Sequence, residues 1–108
     1  MERVKFAGGL GEADRPEVER TFKQLISRLE DRRAEMELSV KDRDLPGMKM
    51  TLEAKIHGMP KMVAVSDEAR FTDALQDVSS DMLRQVNDQQ RRSEPQNNRS
   101  RRETIRGS

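Results

Sequence analysis

The stretch AEMELSVKDRDLPGMKMTLEAKIH, residues 34–57, decides the fold, because apolar and polar residues alternate along both of its halves. A period of two predicts two β-strands, each with one buried side and one side facing water. Between them, Leu45-Pro46-Gly47 is a turn signal. The inward positions are Met36, Leu38 and Val40 in the first strand, and Met50, Leu52, Ala54 and Ile56 in the second. The stretch therefore predicts an antiparallel strand pair.

Upstream of this stretch, RVKFA (residues 3–7) alternates over a shorter length and predicts a first strand. A Gly-rich turn follows, and Asp14 and Pro16 are residue types that begin helices. A helix is predicted from Pro16 to about Arg33, because apolar residues recur there on one face. That face consists of Val18, Phe22, Leu25 and Leu29, with Ile26 beside it.

Downstream, KMVAVS (61–66) predicts a third strand of the meander. Ser66 or Asp67 is expected to cap a last helix that runs to about Gln90. The inward face of this helix carries Phe71, Ala74, Leu75, Val78, Met82 and Val86. The order β-α-β-β-β-α predicts an α+β domain with both helices on the apolar face of a four-stranded sheet.

The composition indicates one small soluble domain. The chain has 108 residues, of which 38% are charged and 3% are aromatic, so Leu, Val, Ile and Met must form the core. It has no Cys, which excludes disulfides and thiolate metal sites. No apolar run is long enough to span a bilayer and no signal peptide is evident, so a cytoplasmic location is expected.

Charge is distributed unevenly along the chain. Residues 1–90 carry a net charge of −3, whereas residues 91–108 carry +4. The last part is polar, lacks periodicity and is rich in Arg, which is typical of disorder. We therefore predict a folded domain over residues 1–92 and a disordered basic tail over 93–108, which suits an anionic partner such as RNA.

Catalytic signals are nearly absent. His57 is the only His and has no clustered carboxylates near it in the sequence. The segment Gly8-Gly9-Leu10-Gly11 lacks the Lys-Ser/Thr of a phosphate-binding loop and is better explained as a flexible turn. We therefore expect no enzyme activity, no cofactor, no metal site and no small-molecule substrate.

RNA recognition through stacked bases is disfavoured, because all three Phe residues fall on inward positions. Contact with the RNA backbone through cations is the remaining mode. The predicted RNA-binding residues are Arg20, Lys23, Arg28, Arg84, Arg91 and Arg92. An ordinary solvated helix face also explains these residues.

Residues 3–92 resemble the family of ribosome hibernation promoting factor and protein Y, also called sigma-54 modulation or ribosome-associated inhibitor proteins. In the last helix, Phe71, Ala74 and Leu75 fit the family's D-M-Y-A-A-I-D segment. The residues that fit its later L-E-R-Q-L segment are Met82, Arg84, Gln85 and Val86. The stretches SVKDRD, MTLEAKIHG and MVAVSDEA fit the family's second, third and fourth strands.

The resemblance implies a short-form hibernation factor, active in stress, that binds the rRNA of the small ribosomal subunit and inhibits translation. Such proteins occupy the channel of mRNA and tRNAs through basic residues of both helices. By position, Arg84 matches the Arg of the family's Arg-Gln pair. Arg91 and Arg92 match the basic end of the family's last helix. Lys23 and Arg28 lie on the first helix, where family members also carry cations.

The last helix departs from the family in charge. Residues 67–92 carry six acids against four Arg, and Asp81 stands where relatives commonly have Lys. This acidity leaves an alternative open: a protein–protein interaction module of the same fold that has lost the ribosome, and that binds another protein or a second copy as a homodimer. A double-stranded RNA binding domain has the different order α-β-β-β-α.

Overall fold

Four strands form one sheet in the computed structural model of the chain, which describes residues 4–30 and 32–93. The strands are β1 (Val4–Gly8), β2 (Ala34–Lys41), β3 (Lys49–Ile56) and β4 (Met62–Ser66), and they lie in the order β1-β2-β3-β4. The pairs β2–β3 and β3–β4 are antiparallel, which confirms the predicted meander. β1 is parallel to β2, because a helical crossover joins them.

The helical crossover after β1 is broken into two short helices. A 3₁₀ turn (Glu12–Asp14) leads into α1 (Arg15–Thr21), and α2 (Lys23–Arg28) follows. The prediction of one helix up to Arg33 is therefore wrong in its length and continuity. Phe22 adopts φ −91° and ψ 11°, outside the helical range, while its side chain is fully buried. The crossover thus bends at the residue that it anchors in the core.

The last helix, α3 (Phe71–Ser93), begins later than the sequence predicts. Ser66 is buried at the end of β4, and its hydroxyl accepts a hydrogen bond of 3.3 Å from the Glu68 backbone N–H. That bond stabilises a turn rather than a helix. Regular helical bonding starts when Ala74 N–H donates to the Arg70 carbonyl at 2.9 Å. The predicted capping by Ser66 or Asp67 is therefore wrong, because a linker of four residues separates β4 from α3.

The core lies between the sheet and the three helices, which all cover one face of it, so the predicted α+β architecture is confirmed. Every predicted inward residue of β2, β3, α1, α2 and α3 is buried, except Ile26 and Phe71, which are partly buried. Phe6 on β1 is also only partly buried. Met48, just before β3, is buried although the alternation does not include it.

A single glycine conformation sets the turn after β1. Gly9 has φ +76°, and a Cβ placed there would lie 2.2 Å from the Val40 carbonyl oxygen. Only glycine permits this close approach of the turn to β2. The predicted turn between strand and helix therefore follows Gly8, the last residue of β1.

The predicted disordered tail, residues 93–108, lies outside the described residues apart from Ser93, the last residue of α3. Within the described part of the chain, no helix has both the length and the apolar character needed to cross a membrane.

Candidate nucleic-acid interface

A groove runs between α2 and α3 on the helical side of the molecule. The two helices lie side by side because each buries an apolar stripe against the same face of the sheet. Polar residues that flank those stripes consequently face the groove. Its lining residues are Lys23, Gln24, Ser27, Arg28, Leu83 and Asn87. The groove thus brings together two of the predicted RNA-binding residues, Lys23 and Arg28.

Arg28 is held in the groove by a neutral partner. Its Nε and Nη2 atoms donate hydrogen bonds of 2.9 Å and 2.6 Å to Oδ1 of Asn87 on α3. An amide oxygen orients a guanidinium but carries no net charge, so the positive charge is not neutralised. None of the six lining residues, all within the described part of the chain, is acidic. The groove is therefore a cationic site with one pre-oriented guanidinium.

Arg20 lies outside this groove. Its side chain is exposed near the end of α1, one turn before Lys23, but it does not line the space between α2 and α3. Lys23 is the first residue of α2 and is also exposed. The two cations flank the bend at Phe22, so the geometry of that bend sets their relative position.

The arginines of α3 are compensated by acids of the same helix. Arg84 Nη2 lies 2.6 Å from Oδ1 of Asp81, and Arg91 Nη2 lies 2.7 Å from Oδ1 of Asp88. A spacing of three residues brings each pair onto one helix face. Arg92 is exposed and forms no ion pair with residues 4–30 or 32–93. The predicted cations of α3 are thus present at the surface but mostly paired.

The first half of α3 presents an acidic surface. A shallow depression there is lined by Asp73, Gln76, Asp77 and Ser80 of α3 and by Glu68 of the preceding linker. A phosphate backbone is repelled by such a surface. Any RNA contact on α3 is therefore restricted to its C-terminal half, beside the groove.

Two further arginines are structural. Arg15 stacks on the Phe6 ring, 4.3 Å from its centroid, and donates to the Val4 carbonyl at 3.2 Å. Arg43 stacks on the Phe71 ring at 4.0 Å. The sequence predicts that Phe6 and Phe71 face the core, but both are only partly buried. A guanidinium covers one face of each ring.

Asn87 is the residue of the site that the sequence pattern misses. It lies four residues after Leu83, so both face the same side of α3, next to the apolar stripe. That position is a signal that Asn87 faces a neighbouring element. Its partner Arg28 is 59 positions away, and only the packing of α2 against α3 identifies the pair.

No three His, Asp or Glu side chains are grouped to hold a metal ion anywhere in residues 4–30 and 32–93. At the level of sequence, no protein-family model and no curated protein matches the chain. Similarity appears only when solved structures are compared by shape.

Two solved structures share the fold. The N-terminal domain of protein Y from Thermus thermophilus is 19% identical with a TM-score of 0.63, over 80% of this chain and 96% of that one. A ribosomal subunit interface protein from Coxiella burnetii is 10% identical with a TM-score of 0.63, over 82% of this chain and 97% of that one. The resemblance predicted from the sequence is thus confirmed as a likeness in fold: the chain folds like the N-terminal domain of protein Y.

Proposed function

We propose that this chain is a ribosome-associated translation inhibitor of the hibernation-factor type, which binds rRNA of the small subunit in the channel of mRNA and tRNAs. The observation that carries this proposal is the acid-free groove with Lys23 and Arg28. The likeness to a ribosomal subunit interface protein supports the choice of partner. The proposed activity is binding to the ribosome in the cytoplasm during stress. Catalysis is not proposed, and neither similar structure bears the name of an enzyme.

The chemistry of the groove suits the RNA backbone. A phosphate has oxygens that accept hydrogen bonds from both an ammonium and a guanidinium. The hydrogen bond to Asn87 orders the Arg28 guanidinium before RNA arrives, so less side-chain entropy is lost on binding. Arg20 and Arg92, which are exposed outside the groove, are proposed to make additional phosphate contacts.

Replacing Lys23 and Arg28 together by Gln should weaken binding to isolated small subunits. Hydrogen bonds to charged groups contribute about 1.5–3 kcal/mol each, so we expect a loss of about tenfold or more for each cation. The slope of log K against log salt should fall by about 1.4–1.8, since each phosphate contact adds about 0.7–0.9. Co-sedimentation at several salt concentrations measures both quantities.

A matched control is the double variant Lys5→Gln/Lys55→Gln. It removes the same charge from the opposite side of the sheet, where Lys5 lies beside Glu37 and Lys55 beside Glu35. Its affinity and salt slope should remain close to those of the unmodified chain. Equal losses in both double variants would show that net charge alone, and not the groove, causes binding.

Removing the acids that compensate α3 should strengthen binding. In the variant Asp81→Asn/Asp88→Asn, Arg84 and Arg91 become available for phosphates, because exposed ion pairs are worth only about 0–1 kcal/mol. We expect higher affinity for small subunits and a salt slope steeper by up to about 1.8. Asp73→Asn/Asp77→Asn is the matched control in the acidic half of the same helix. If the two variants gain equally, Arg84 and Arg91 do not contact the RNA.

We also propose that residues 93–108 act as a separate basic tail. Deletion after Ser93 leaves α3 complete and removes the distal arginines. Co-sedimentation of the truncated chain at two salt concentrations separates the electrostatic contribution of the tail from binding by the groove.

One observation favours the alternative function, a protein–protein interaction module. Val63 and Val65 are 43% and 48% exposed on the edge strand β4. Gln85 covers one carbonyl of this edge by donating to Val63 O at 2.9 Å, but both residues remain about half exposed. If this edge binds a protein or a second copy, Val63→Thr/Val65→Thr will abolish association in sedimentation-equilibrium experiments and leave ribosome binding intact.

A further inference from the structure

The outer face of the sheet, away from the helices, has charges arranged in rows. The antiparallel register of β2 and β3 places Glu35 opposite Lys55 and Glu37 opposite Glu53. Lys61 Nζ lies 3.0 Å from Oε1 of Glu53, so it neutralises one of the two facing carboxylates, Glu37 and Glu53. At this end of the sheet, every lysine therefore has a carboxylate beside it.

The other end of the same face is different. Lys41 of β2 lies directly opposite Lys49 of β3, and both side chains are exposed. Neither ammonium forms an ion pair with any residue in 4–30 or 32–93. Facing residues in an antiparallel pair have β-carbons about 4.5–5.5 Å apart, and like charges at that separation destabilise the sheet. Repulsion between Lys41 and Lys49 therefore lowers the stability of the fold, and no ion pair compensates it within the described residues.

The next row supplies hydroxyl groups. Ser39 lies opposite Thr51 on the same outer face, and neither side chain has a hydrogen-bond partner within the described residues. The residues flanking this row, Gly8 on β1 and Val65 on β4, carry no charge. Two ammonium groups and two hydroxyl groups consequently lie in neighbouring rows of the sheet that contain no carboxylate.

Acidic side chains on the sheet are too far away to neutralise the lysine pair. The row of Glu37 and Glu53 is four residues along the strands, which is about 13 Å at 3.3–3.4 Å per residue. Exposed charges at that distance are largely screened, since the Debye length at physiological salt is about 8 Å. Asp42 and Asp44, in the following loop, form no ion pair with either lysine among the described residues.

We infer that Lys41, Lys49, Ser39 and Thr51 form a second anion-binding site that takes a phosphate group on the outer face of the sheet. An oxyanion between the two ammonium groups converts their repulsion into attraction to a shared partner. The hydroxyls donate to the remaining oxygens, as Ser and Thr side chains do to nucleic-acid phosphates. This site lies on the opposite side of the domain from the groove of α2 and α3, so it stands independently of the proposed function.

The site is tested by titrating the full chain with sodium pyrophosphate at constant ionic strength, observed by amide chemical shifts. We expect shifts at residues 39, 41, 49 and 51, and their loss in Lys41→Gln/Lys49→Gln. The variant Lys5→Gln/Lys55→Gln loses two lysines from the same face and should retain them. Shifts spread evenly over all lysines, or unchanged shifts in Lys41→Gln/Lys49→Gln, would overturn the inference.

Thermal unfolding adds a readout that distinguishes binding from a purely structural role. Without anion, Lys41→Gln/Lys49→Gln should unfold at a higher temperature than the unmodified chain, because the repulsion is gone. Pyrophosphate should raise the unfolding temperature of the unmodified chain more than that of the variant, which keeps only the groove of α2 and α3 as an anion site. A variant that is less stable without anion and responds equally to pyrophosphate contradicts the site.

A second arm separates free anions from an RNA backbone. With a short single-stranded RNA, Lys41→Gln/Lys49→Gln should lower the salt slope of binding by about 1.4 if RNA supplies the phosphate. An unchanged slope together with the loss of pyrophosphate binding assigns the site to free anions. Ribosome binding that fails while pyrophosphate still binds overturns the proposed function and leaves this site standing.

Discussion

Phe22→Ala should destabilise the domain by about 3–5 kcal/mol, the usual cost of deleting a fully buried aromatic ring. The Phe22 side chain is completely buried, in contact with the core between the sheet and the helices. Small domains have unfolding free energies of about 5–15 kcal/mol, so this one change removes a large fraction of the total. Lys23 directly follows Phe22 at this bend, so loss of the ring also removes the packing that fixes the start of α2.

The measurement is equilibrium urea unfolding followed by circular dichroism, with the midpoint and the slope determined separately. Ile26→Ala is the matched control, since Ile26 lies on the neighbouring α2 and is only partly buried. We expect the control to cost clearly less than Phe22→Ala. Similar losses for the two variants would show that burial of the Phe22 ring does not anchor the crossover.

Acid should destabilise the domain through Asp14. Arg43 donates two hydrogen bonds to this carboxylate, of 2.7 Å and 2.8 Å, and the Gly11 backbone N–H donates a third of 2.9 Å. These bonds, led by those of Arg43, lower the pKa of Asp14 from 3.8 to about 2, although partial burial opposes the shift. Asp14 in turn raises the pKa of Arg43 through the same hydrogen bonds.

The direction of the pH effect follows from the lowered pKa. A carboxyl whose pKa is lower in the folded state stabilises the fold above its unfolded pKa of 3.8. That stabilisation, about 2 kcal/mol, is lost as the pH falls from about 5 to about 2. The side chains of Asp14 and Arg43 are 17% and 29% exposed, so solvent screening makes about 2 kcal/mol an upper value.

Urea unfolding of the unmodified chain and of Asp14→Asn, at several pH values between 2 and 7, tests this expectation. The difference in unfolding free energy between them should be largest above pH 5 and should shrink by about 2 kcal/mol towards pH 2. Arg43→Lys keeps a cation but loses the bidentate geometry, so its pH dependence should be intermediate. Parallel pH curves for the unmodified chain and Asp14→Asn contradict the assignment.

The fold was predictable because its pattern is local. The alternation in β2 and β3 and the helical spacing in α3 each depend on neighbours within a few residues, and the packing follows them. The ends of the helices were not predictable to the same degree. Phe22 is buried in the core where α1 ends, and Ser66 is buried as the last residue of β4, so tertiary packing overrides the local signals for starting and continuing a helix.

The candidate site was predictable in residue type but not in electrostatic state. The pairs of Arg84 with Asp81 and Arg91 with Asp88 have a spacing of three, so the sequence contains the signal for them. The bonds of Arg28 to Asn87 and of Arg43 to Asp14 join positions 59 and 29 residues apart. No spacing rule identifies such pairs, because only the packing of distant elements makes them neighbours.

The sequence by itself determined the order of strands and helices, the buried face of each, and the supply of cations on the helices. Periodicity sets these properties, since burial of apolar side chains is the main driving force of folding. Only the tertiary structure decided which cations keep their charge available. Lys23 and Arg28 line a groove beside the neutral amide of Asn87. Lys41 lies opposite Lys49 in the sheet, whereas Arg43 forms an ion pair with Asp14. Electrostatic interactions depend on distance in space, which the register of strands and the packing of helices set.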